Sequence, residues 1–515
     1  MTRLPSVLPG AVIDRLNSDP GEWAFIDLRE AGQAAEGHPF ASVNLPFSGL
    51  EAACPRLLPR TSTPLVLIDD GDGLADRAGV ALAALGYTDL SAVAGGIPGW
   101  QAAGLPLFKG VHSFSKAFGE WVEHRFATPD IGPDDLAHLM AEPDPPALID
   151  GRPFAEHSAF TLPGSRCCPN AELALRLPAM VADDVPVIIH CAGRTRSIIG
   201  AQTVRDFGLP NPVMALRDGT QGWELAGHAR VTGSNAAPPE DLLPAVHALA
   251  IVRAQGVINR CAIPTMDAQA LDAVLRSGTR TVYRFDPRTD AEGTPPPGFV
   301  RAPATTLVQQ TDRFIAVRGA LVVLSDPALV RAVFAALWLR RMGMDAVIVK
   351  TPPAVDVART AARADRWPML DACRVSAAQT AGAMLIDVRP SAAFLAGHID
   401  GAVWSIRPRL HRLGHVASAV VLGDDPAIAA LVADDLAATG CDVQGLHTGT
   451  PADWRAVGLA VAQDDTPATA DRIDQVLFCA GRHSGNLDDA RAYLTWETGL
   501  LDRLSAAGIT PWPNL

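Results

Sequence analysis

The sequence predicts an α/β protein made of four tandem copies of one strand–loop–helix unit, followed by a C-terminal helical tail. Four apolar runs end in aspartate with arginine two residues later: FIDLRE, LIDGRP, YRFDPR and LIDVRP, with the aspartates at positions 27, 150, 286 and 387. A second apolar run follows each of them after 37 to 42 residues. A helical pattern then ends in glycine, at Gly86, Gly208, Gly343 and Gly440. Strands that alternate with helices are typical of parallel sheets with helices on both faces.

The ends of the copies are marked by glycine and tryptophan. Three copies close with GGIPGW, GTQGW or GTPADW, and the third copy lacks this ending. Segments rich in proline, glycine and polar residues, at 227–244 and 351–368, have the composition of linkers. The predicted domains are therefore 1–115, 124–235, 250–355 and 368–463, and the tail is 464–515.

The tail begins with a further linker, VAQDDTPATADR, and continues with apolar residues at helical spacing. These residues are Leu487, Ala490, Leu494, Leu501 and Leu504. The pattern predicts a helix that packs on a neighbouring domain or subunit.

Composition excludes several classes of protein. Hydrophobic residues make up 48% of the 515 residues and the net charge is −13, which predicts packed cores and disfavours nucleic-acid binding. No apolar run approaches the ~20 residues of a membrane span. The eight cysteines are scattered without a C-x-x-C pair or zinc-ligand spacing, which indicates a reduced, cytoplasmic protein without a metal. Nucleotide-binding glycine motifs are absent as strand–helix turns, so no cofactor is expected.

One loop carries nucleophilic chemistry. The stretch IIHCAGRTRS, residues 188–197, runs from a strand through Cys191 into a helix. Loop N–H groups, the positive end of the helix dipole and the charges of Arg194 and Arg196 all favour a thiolate over a thiol. The same donors can hold a persulfide anion. The alternative is an ordinary buried, inert cysteine. The other copies carry aspartate at this place, which indicates a polar loop instead of a core position.

The D-x-R strand, the CAGRTRS loop and the terminal G-W together resemble the rhodanese superfamily over roughly residues 1–463. The resemblance implies four tandem rhodanese-like domains and a double-displacement mechanism in which Cys191 carries sulfane sulfur. It further implies substrate-binding roles for the rest of the loop and a structural role beside the site for Asp150 and Arg152. The implied substrate-binding residues are Ala192, Gly193, Arg194, Thr195, Arg196 and Ser197.

The other three copies are expected to be inactive. They carry Asp69, Asp326 and Asp424 where a nucleophile would be, and a carboxylate cannot accept sulfane sulfur. The aspartate and arginine of each D-x-R run are interpreted as structural ion pairs. His38 and His398 are interpreted as residues that position the fold.

The implied activity is that of a sulfurtransferase that takes sulfur from an anionic donor and passes it to cyanide or a thiol. Two arginines fit a dianion, so thiosulfate is favoured over mercaptopyruvate. One alternative is a relay or scaffold protein that only hands persulfide between partners. Another is a phosphatase or arsenate reductase, which uses a C-x5-R loop, whereas Arg196 makes this loop C-x4-R.

Partners and further thiols complete the expectations. The expected partners are a small sulfur donor and a thiol or cyanide acceptor. A protein acceptor and a homodimer are left open, and binding to nucleic acid or a membrane is not expected. Cys167 and Cys168 are interpreted as packing residues, with a relay role as the alternative. The segment FCAGRHSGN around Cys479 repeats CAGR without the flanking motifs, and the repeat is interpreted as accidental, with sulfur acceptance as the alternative.

Overall fold

The structure of this chain is a computed structural model that describes residues 3–289, 292–352, 366–463 and 466–512. The first repeated segment contains β1 (Ser6–Val7), α1 (Pro9–Ser18), β2 (Trp23–Asp27), α2 (Ala31–Glu36), β3 (Val43–Asn44), α3 (Leu50–Leu57), β4 (Leu65–Ile68), α4 (Leu74–Ala84), β5 (Leu90–Val93) and α5 (Gly96–Ala102). The second contains α6 (Ser113–Phe126), β6 (Asp130–Ile131), α7 (Pro133–Met140), β7 (Ala147–Asp150), α8 (Phe154–Ala159), β8 (Arg166–Cys167), α9 (Leu173–Met180), β9 (Val187–His190), α10 (Thr195–Asp206), β10 (Val213–Leu216) and α11 (Gly219–Leu225).

The third segment contains α12 (Pro244–Arg260), β11 (Thr265–Met266), α13 (Ala268–Ser277), β12 (Val282–Asp286), β13 (Val300–Arg301), α14 (Ala304–Gln309), β14 (Val317–Arg318), β15 (Leu321–Leu324), α15 (Val330–Arg341) and β16 (Asp345–Val349). The fourth contains α16 (Ala372–Thr380), β17 (Met384–Asp387), α17 (Ser391–Ala396), β18 (His398–Ile399), β19 (Val403–Trp404), β20 (Ser418–Leu422), α18 (Pro426–Ala438), β21 (Asp442–His447), α19 (Pro451–Ala456) and β22 (Val461–Ala462). The tail contains α20 (Leu487–Thr498) and α21 (Leu500–Ala506).

Each repeated segment contributes strands to a parallel sheet. The strand orders are β1-β5-β4-β2-β3, β6-β10-β9-β7-β8, β11-β16-β15-β12-β13 and β19-β17-β20-β21. β18 and β22 form a separate antiparallel pair. The predicted α/β class, with parallel sheets flanked by helices, is confirmed. In each sheet the second long apolar run of the segment lies centrally, so the loop that follows it leaves the middle of the sheet.

The chain divides into two compact units. Unit 1 comprises Met1–Pro9, Ala24–Gly110 and Ala358–Phe478, and unit 2 comprises Gly10–Trp23, Val111–Val357 and Cys479–Leu515. Unit 1 therefore holds the first and fourth sheets. Unit 2 holds the second and third sheets together with α20 and α21.

The aspartate and arginine of each D-x-R run pair with each other at the carboxyl end of a strand. Arg152 donates from Nε and Nη2 to the Asp150 carboxylate at 2.9 and 2.7 Å, and both side chains are buried. The corresponding pairs are Arg29–Asp27, Arg288–Asp286 and Arg389–Asp387. Arg152 also donates to the carbonyl of Phe160, eight residues on. These pairs fix the loop that follows each strand, which agrees with a structural role.

The tryptophan that ends three of the segments is a core residue. Trp100, Trp223 and Trp454 are all buried. Each indole N–H also has an acceptor, which for Trp223 is the carbonyl of Ala229 at 2.9 Å. In the second segment this ring packs with Leu136, Leu148 and Ile188. A tryptophan buries a large apolar area while its N–H stays bonded, which explains the preference for this residue at the end of the unit.

The strand register corrects the expectation for the fourth segment. Asp150 lies opposite His190, the residue that precedes Cys191. Asp387 lies opposite Leu422, so the residue equivalent to Cys191 is Gly423. The prediction that Asp424 occupies the cysteine position is therefore wrong, because Asp424 is one residue further on and exposed. With Gly423 in that place, the spacing to Gly440 becomes 17 residues, as in the other three segments.

A buried carboxylate in unit 1 makes stability depend on pH. Glu30 accepts hydrogen bonds from the Ser48 N–H and hydroxyl at 3.1 and 2.7 Å, yet burial raises its pKa to about 7. A raised folded-state pKa means that its stabilising contribution is complete below the unfolded pKa near 4.5 and is lost as pH rises through 7. We therefore expect the free energy of unfolding of Glu30→Gln, relative to that of the parent, to increase by about 3 kcal/mol from pH 4 to pH 8.

Thermal or urea denaturation of both proteins at several pH values measures this difference. A neutral amide keeps the acceptor for Ser48, so the variant should be no less stable at pH 8. Glu36→Gln is the matched control, because this glutamate is exposed at the end of α2. A difference between Glu30→Gln and parent that does not change with pH would contradict the prediction.

Candidate active site

Cys191 lies directly after β9, the central strand of the second sheet. All four residues of β9, VIIH, are buried, which fixes the position at which the chain leaves the sheet. The loop from Cys191 to Arg194 then leads into α10, whose Ile198, Ala201 and Val204 are buried. The cysteine side chain is only 2% exposed. Its thiol therefore lies at the amino end of a helix, below the surface.

The equivalent aspartates show what this loop binds. Asp69 accepts hydrogen bonds from the backbone N–H groups of Gly71 and Ala75, both at 2.9 Å. Asp326 accepts from the N–H groups of Ala328 and Arg331 at 3.0 and 2.9 Å. In both segments the loop and the first turn of the helix hold an anion with backbone donors. In the second segment a sulfur atom stands in place of the carboxylate.

Two residues of α11 donate hydrogen bonds to backbone carbonyls of the loop. Thr220 donates from its N–H and its hydroxyl to the Cys191 carbonyl, both at 2.9 Å, and the Gln221 N–H donates to the Ala192 carbonyl at 3.0 Å. These hydrogen bonds fix the positions of the Cys191 and Ala192 carbonyls and so the course of the loop backbone. Gly219 has φ +55° and a β-carbon there would lie 2.4 Å from the Cys191 carbonyl oxygen. Only glycine fits this contact.

The two arginines of the loop have different surroundings. Arg194 binds Glu120 through Nε and Nη2 at 2.8 and 2.9 Å, Glu123 at 2.5 Å and Asp218 at 2.9 Å. Three carboxylates thus neutralise its charge. The expectation that both arginines add net positive charge beside the thiol needs correction for Arg194, which ties α10 to α6 and α11.

Arg196 remains next to the thiol. Its guanidinium forms a two-pronged pair with Glu156 at 2.7 and 2.8 Å, and about 15% of its side chain is exposed. Burial lowers the pKa of Arg196, but the charges of Glu156 and of Cys191 raise it more, so the cation persists. Ser197 completes the group, because its hydroxyl donates to the Cys191 sulfur at 3.2 Å. Cys191, Arg196 and Ser197 are therefore brought together as the sequence predicts.

Sequence reasoning missed a set of residues that cover the loop. Thr195 donates from its hydroxyl to Glu497 of α20 at 2.5 Å, and Lys116 of α6 lies 3.7 Å from the same carboxylate. A β-carbon placed on Gly193 would lie 3.4 Å from the Tyr493 ring. The leucine spacing predicts a helix here, but no local pattern identifies which of its polar residues meets the loop.

The other cysteines are less suited to nucleophilic chemistry. Cys167 and Cys168 are fully buried, and burial raises the pKa of the Cys167 thiol to about 12 and that of Cys168 well above its ordinary value. Both observations agree with packing roles. Cys479 precedes a short 3₁₀ helix, Ala480–His483, whose His483 ring stacks on Phe160 at 5.4 Å. The CAGR repeat in the tail therefore lies on the second segment.

Known proteins support a family assignment. A model of the rhodanese-like domain matches residues 9–103 and 132–226. A crystal structure of thiosulfate sulfurtransferase from Pseudomonas aeruginosa is similar over 99% of both chains, with 32% identity and a TM-score of 0.90. The chain belongs to the rhodanese family. Two shorter structures each match about a fifth of this rhodanese. They are the Alr3790 protein from Anabaena sp., with 23% identity over 82% of its chain and TM-score 0.19, and a rhodanese-related protein from Thermoplasma volcanium, with 21% identity over 97% of its chain and TM-score 0.18. No curated protein matches the sequence significantly.

The described residues of this rhodanese also bear on other kinds of site. Within them, no group of three or more histidine, cysteine, aspartate or glutamate side chains has the arrangement of a metal site. None of the helices in the described part of the chain is long and apolar enough to cross a bilayer.

Proposed function

We propose that this protein is a sulfurtransferase in which Cys191 accepts sulfane sulfur from an anionic donor and passes it to a thiol or cyanide. The observation that carries the proposal is the anion-binding loop. Two equivalent loops bind a carboxylate with their own N–H groups, and the second segment places the Cys191 thiol at the same position of its sheet. The Arg196 cation and the Ser197 hydroxyl stand beside that sulfur. Donors of this kind stabilise a thiolate before the reaction and a persulfide after it.

The first half-reaction follows from this arrangement. The Cys191 thiolate attacks the outer sulfur of thiosulfate, and a bond forms between the Cys191 sulfur and that sulfane sulfur. The sulfur–sulfur bond of thiosulfate breaks, and sulfite leaves with the electron pair. Arg196 binds the oxygens of the donor, and the loop N–H groups hold the negative charge on the new persulfide. The acceptor then removes the sulfane sulfur and regenerates the thiolate.

Thiosulfate is the favoured donor. Arg196, which also pairs with Glu156, is the guanidinium beside the thiol, and a guanidinium matches the planar array of oxygens on one face of a sulfonate-like group. The relative of known structure from Pseudomonas aeruginosa is described as a thiosulfate sulfurtransferase. Release of one sulfite per protein in a single turnover with thiosulfate, and no release of pyruvate with mercaptopyruvate, tests the choice. Sulfur loading from mercaptopyruvate alone would contradict it.

We expect Arg196→Met to raise the KM for thiosulfate by roughly 10- to 100-fold, since a hydrogen bond to a charged group contributes about 1.5–3 kcal/mol. Steady-state kinetics with thiosulfate and cyanide measure this effect. Arg205→Met is the matched control, because Arg205 lies on the exposed face of the same helix, α10. An unchanged KM in the Arg196 variant would remove Arg196 from the donor site.

We also propose that each of the four parallel sheets belongs to one rhodanese-like domain, of which the second alone is active. Asp69, Asp326 and Gly423 occupy the position of Cys191 in the others, and none of these residues can form a persulfide. The carboxylates of Asp69 and Asp326 bind the loop donors themselves. Those two loops are therefore closed to an outside anion. The cysteine-less domains serve as structural partners within each compact unit.

A further inference from the structure

Two buried side chains next to the active-site loop, Glu497 and Gln221, carry polar atoms that have no hydrogen-bond partner among the described residues. Glu497 of α20 is 0% exposed, and its Oε1 accepts from the Thr195 hydroxyl at 2.5 Å. Its second oxygen, Oε2, has no hydrogen-bond partner among the described residues. Gln221 of α11 is 1% exposed, and neither atom of its amide is bonded to any described residue. Buried polar atoms are almost always paired, because an unpaired one costs about 1–3 kcal/mol.

These unpaired atoms converge on one point of the active-site loop. A β-carbon placed on Gly193 would lie 3.3 Å from Glu497 Oε2 and 4.0 Å from Gln221 Nε2. Gly193 is two residues from Cys191, and its carbonyl is within 3.4 Å of the Ser197 hydroxyl that also contacts the sulfur. One carboxylate oxygen and one amide thus lie close to the loop that holds the sulfur.

We propose that Glu497 is the general base that takes the proton from a small thiol acceptor, and that Gln221 binds the polar backbone of that acceptor. The proposal rests on the proposed function and names the acceptor class for the second half-reaction. Glu497 can only accept and Gln221 both donates and accepts, so the pair suits a ligand with an S–H and neighbouring polar groups. The burial of Cys191 favours such a small thiol over a cysteine on a folded protein.

The second half-reaction balances as follows. Glu497 Oε2 takes the proton of the acceptor R–SH, and the resulting thiolate attacks the sulfane sulfur of the Cys191 persulfide. A bond forms between the acceptor sulfur and the sulfane sulfur. The bond between the sulfane sulfur and Cys191 Sγ breaks, and its electron pair remains on Cys191 as thiolate. The sulfane sulfur moves from one thiolate to another as a neutral atom, so the step needs no external oxidant or reductant. The product R–S–S⁻ leaves, and Glu497 returns its proton to solvent.

The surroundings suit a carboxylate that works as a base. The Lys116 ammonium lies 3.7 Å from Oε1 and compensates the charge of the buried group. The Thr195 hydroxyl holds Oε1 in place, which directs Oε2 at the loop. Two other titratable groups, Tyr493 and Glu120, face Glu497. Burial raises the pKa of Tyr493 to about 12 and the pKa of Glu120 to about 7. Glu120 remains in any variant of Glu497, so variant and parent are compared at the same pH.

The test separates the two half-reactions. The protein is loaded with thiosulfate and freed of excess donor, and intact mass confirms one added sulfur. The persulfide is then discharged with free cysteine, which carries a proton on its sulfur, or with sulfite at a pH where it carries none. We expect Glu497→Gln to slow discharge by cysteine at pH 7 by at least about tenfold, since general bases contribute about 10²–10⁴-fold. Discharge by sulfite should stay within about twofold, because no proton needs a base.

The pH dependence is the second readout. As pH rises past the thiol pKa near 8.5, cysteine ionises by itself, and the defect of Glu497→Gln should disappear. Asp488→Asn is the matched control, since this carboxylate lies on the same helix with its side chain 93% exposed, and should behave as the parent.

Several results would overturn the proposal. Equal cysteine discharge in Glu497→Gln and parent would exclude a base at this position. An equal loss with cysteine and with sulfite, or a defect that persists above the thiol pKa, would indicate a structural role only. If the variant does not fold, the parent is tested at pH 7 with small thiols of different pKa. A discharge rate that simply follows the thiolate fraction of each thiol would exclude a base at this position. If the parent loads no sulfur, the proposed function itself fails.

Discussion

Cys191→Ser is expected to abolish sulfur loading. After brief exposure to thiosulfate, the intact mass of the parent should increase by one sulfur atom, and that of the variant should not change. Serine has nearly the same shape, so the loop, its N–H donors and the contact with Ser197 are expected to persist. A hydroxyl has no accessible anion at neutral pH and forms no persulfide. Turnover of thiosulfate with cyanide should fall to the uncatalysed rate.

The control separates Cys191 from the other thiols. Cys261 is exposed and lies in unit 2, at the end of α12. Cys261→Ser should therefore load one sulfur, as the parent does. If Cys191→Ser still gained a sulfur atom, another thiol would be the carrier. Cys479 would then be tested first, because it precedes the short helix whose His483 stacks on Phe160 of the second segment.

Arg194→Met is expected to lower the free energy of unfolding of unit 2 by about 3–5 kcal/mol at pH 8, the cost of breaking a buried ion pair. The change leaves Glu120, Glu123 and Asp218 without the cation that binds all three. Burial already raises the pKa of Glu120 to about 7, and loss of Arg194 removes the hydrogen bonds that lower it. The folded-state pKa of Glu120 then rises further, so the loss of stability should shrink as pH falls to 5 and Glu120 takes up a proton.

Urea denaturation at pH 5 and pH 8 measures both parts of this prediction. Arg217→Met is the control, because this arginine pairs with Asp130 at the surface, and such pairs contribute about 0–1 kcal/mol. A loss below about 1 kcal/mol in Arg194→Met at pH 8 would show that the pairs contribute little. A loss of donor binding with unchanged stability would return Arg194 to the donor site, where the sequence alone had placed it.

The contrast between Arg194 and Arg196 shows what the local sequence can and cannot predict. Both lie within five residues of Cys191, and both are cations. Whether such a cation faces the substrate depends on the carboxylates around it. Those of Arg194 come from α6 and from the turn before α11, more than twenty residues away in either direction. Nothing in the loop itself encodes them.

The error at Asp424 has a different origin. The position was assigned by an aspartate near the end of an apolar run, and the run ends one residue earlier than that aspartate suggests. Strand pairing fixes the register through backbone hydrogen bonds, and a shift of one residue exchanges an inward for an outward side chain. The constant spacing of 17 residues to the helix-ending glycine was the better guide, because it reflects the length of a helix that must span the sheet.

What the sequence determined by itself is local and periodic. Apolar runs, helical spacing and the repeated D-x-R and G-W motifs specify the strands and helices of an α/β fold, because each depends on residues within a few positions of one another. The position of Cys191 at the end of a buried strand is likewise predicted from neighbouring residues alone. What only the tertiary structure decided is which distant residues meet that loop. Thr195 and Glu497 are 302 positions apart, and their contact arises because α20 packs on α6 and α11. Such packing follows from the fit of whole surfaces, which no short stretch of sequence contains.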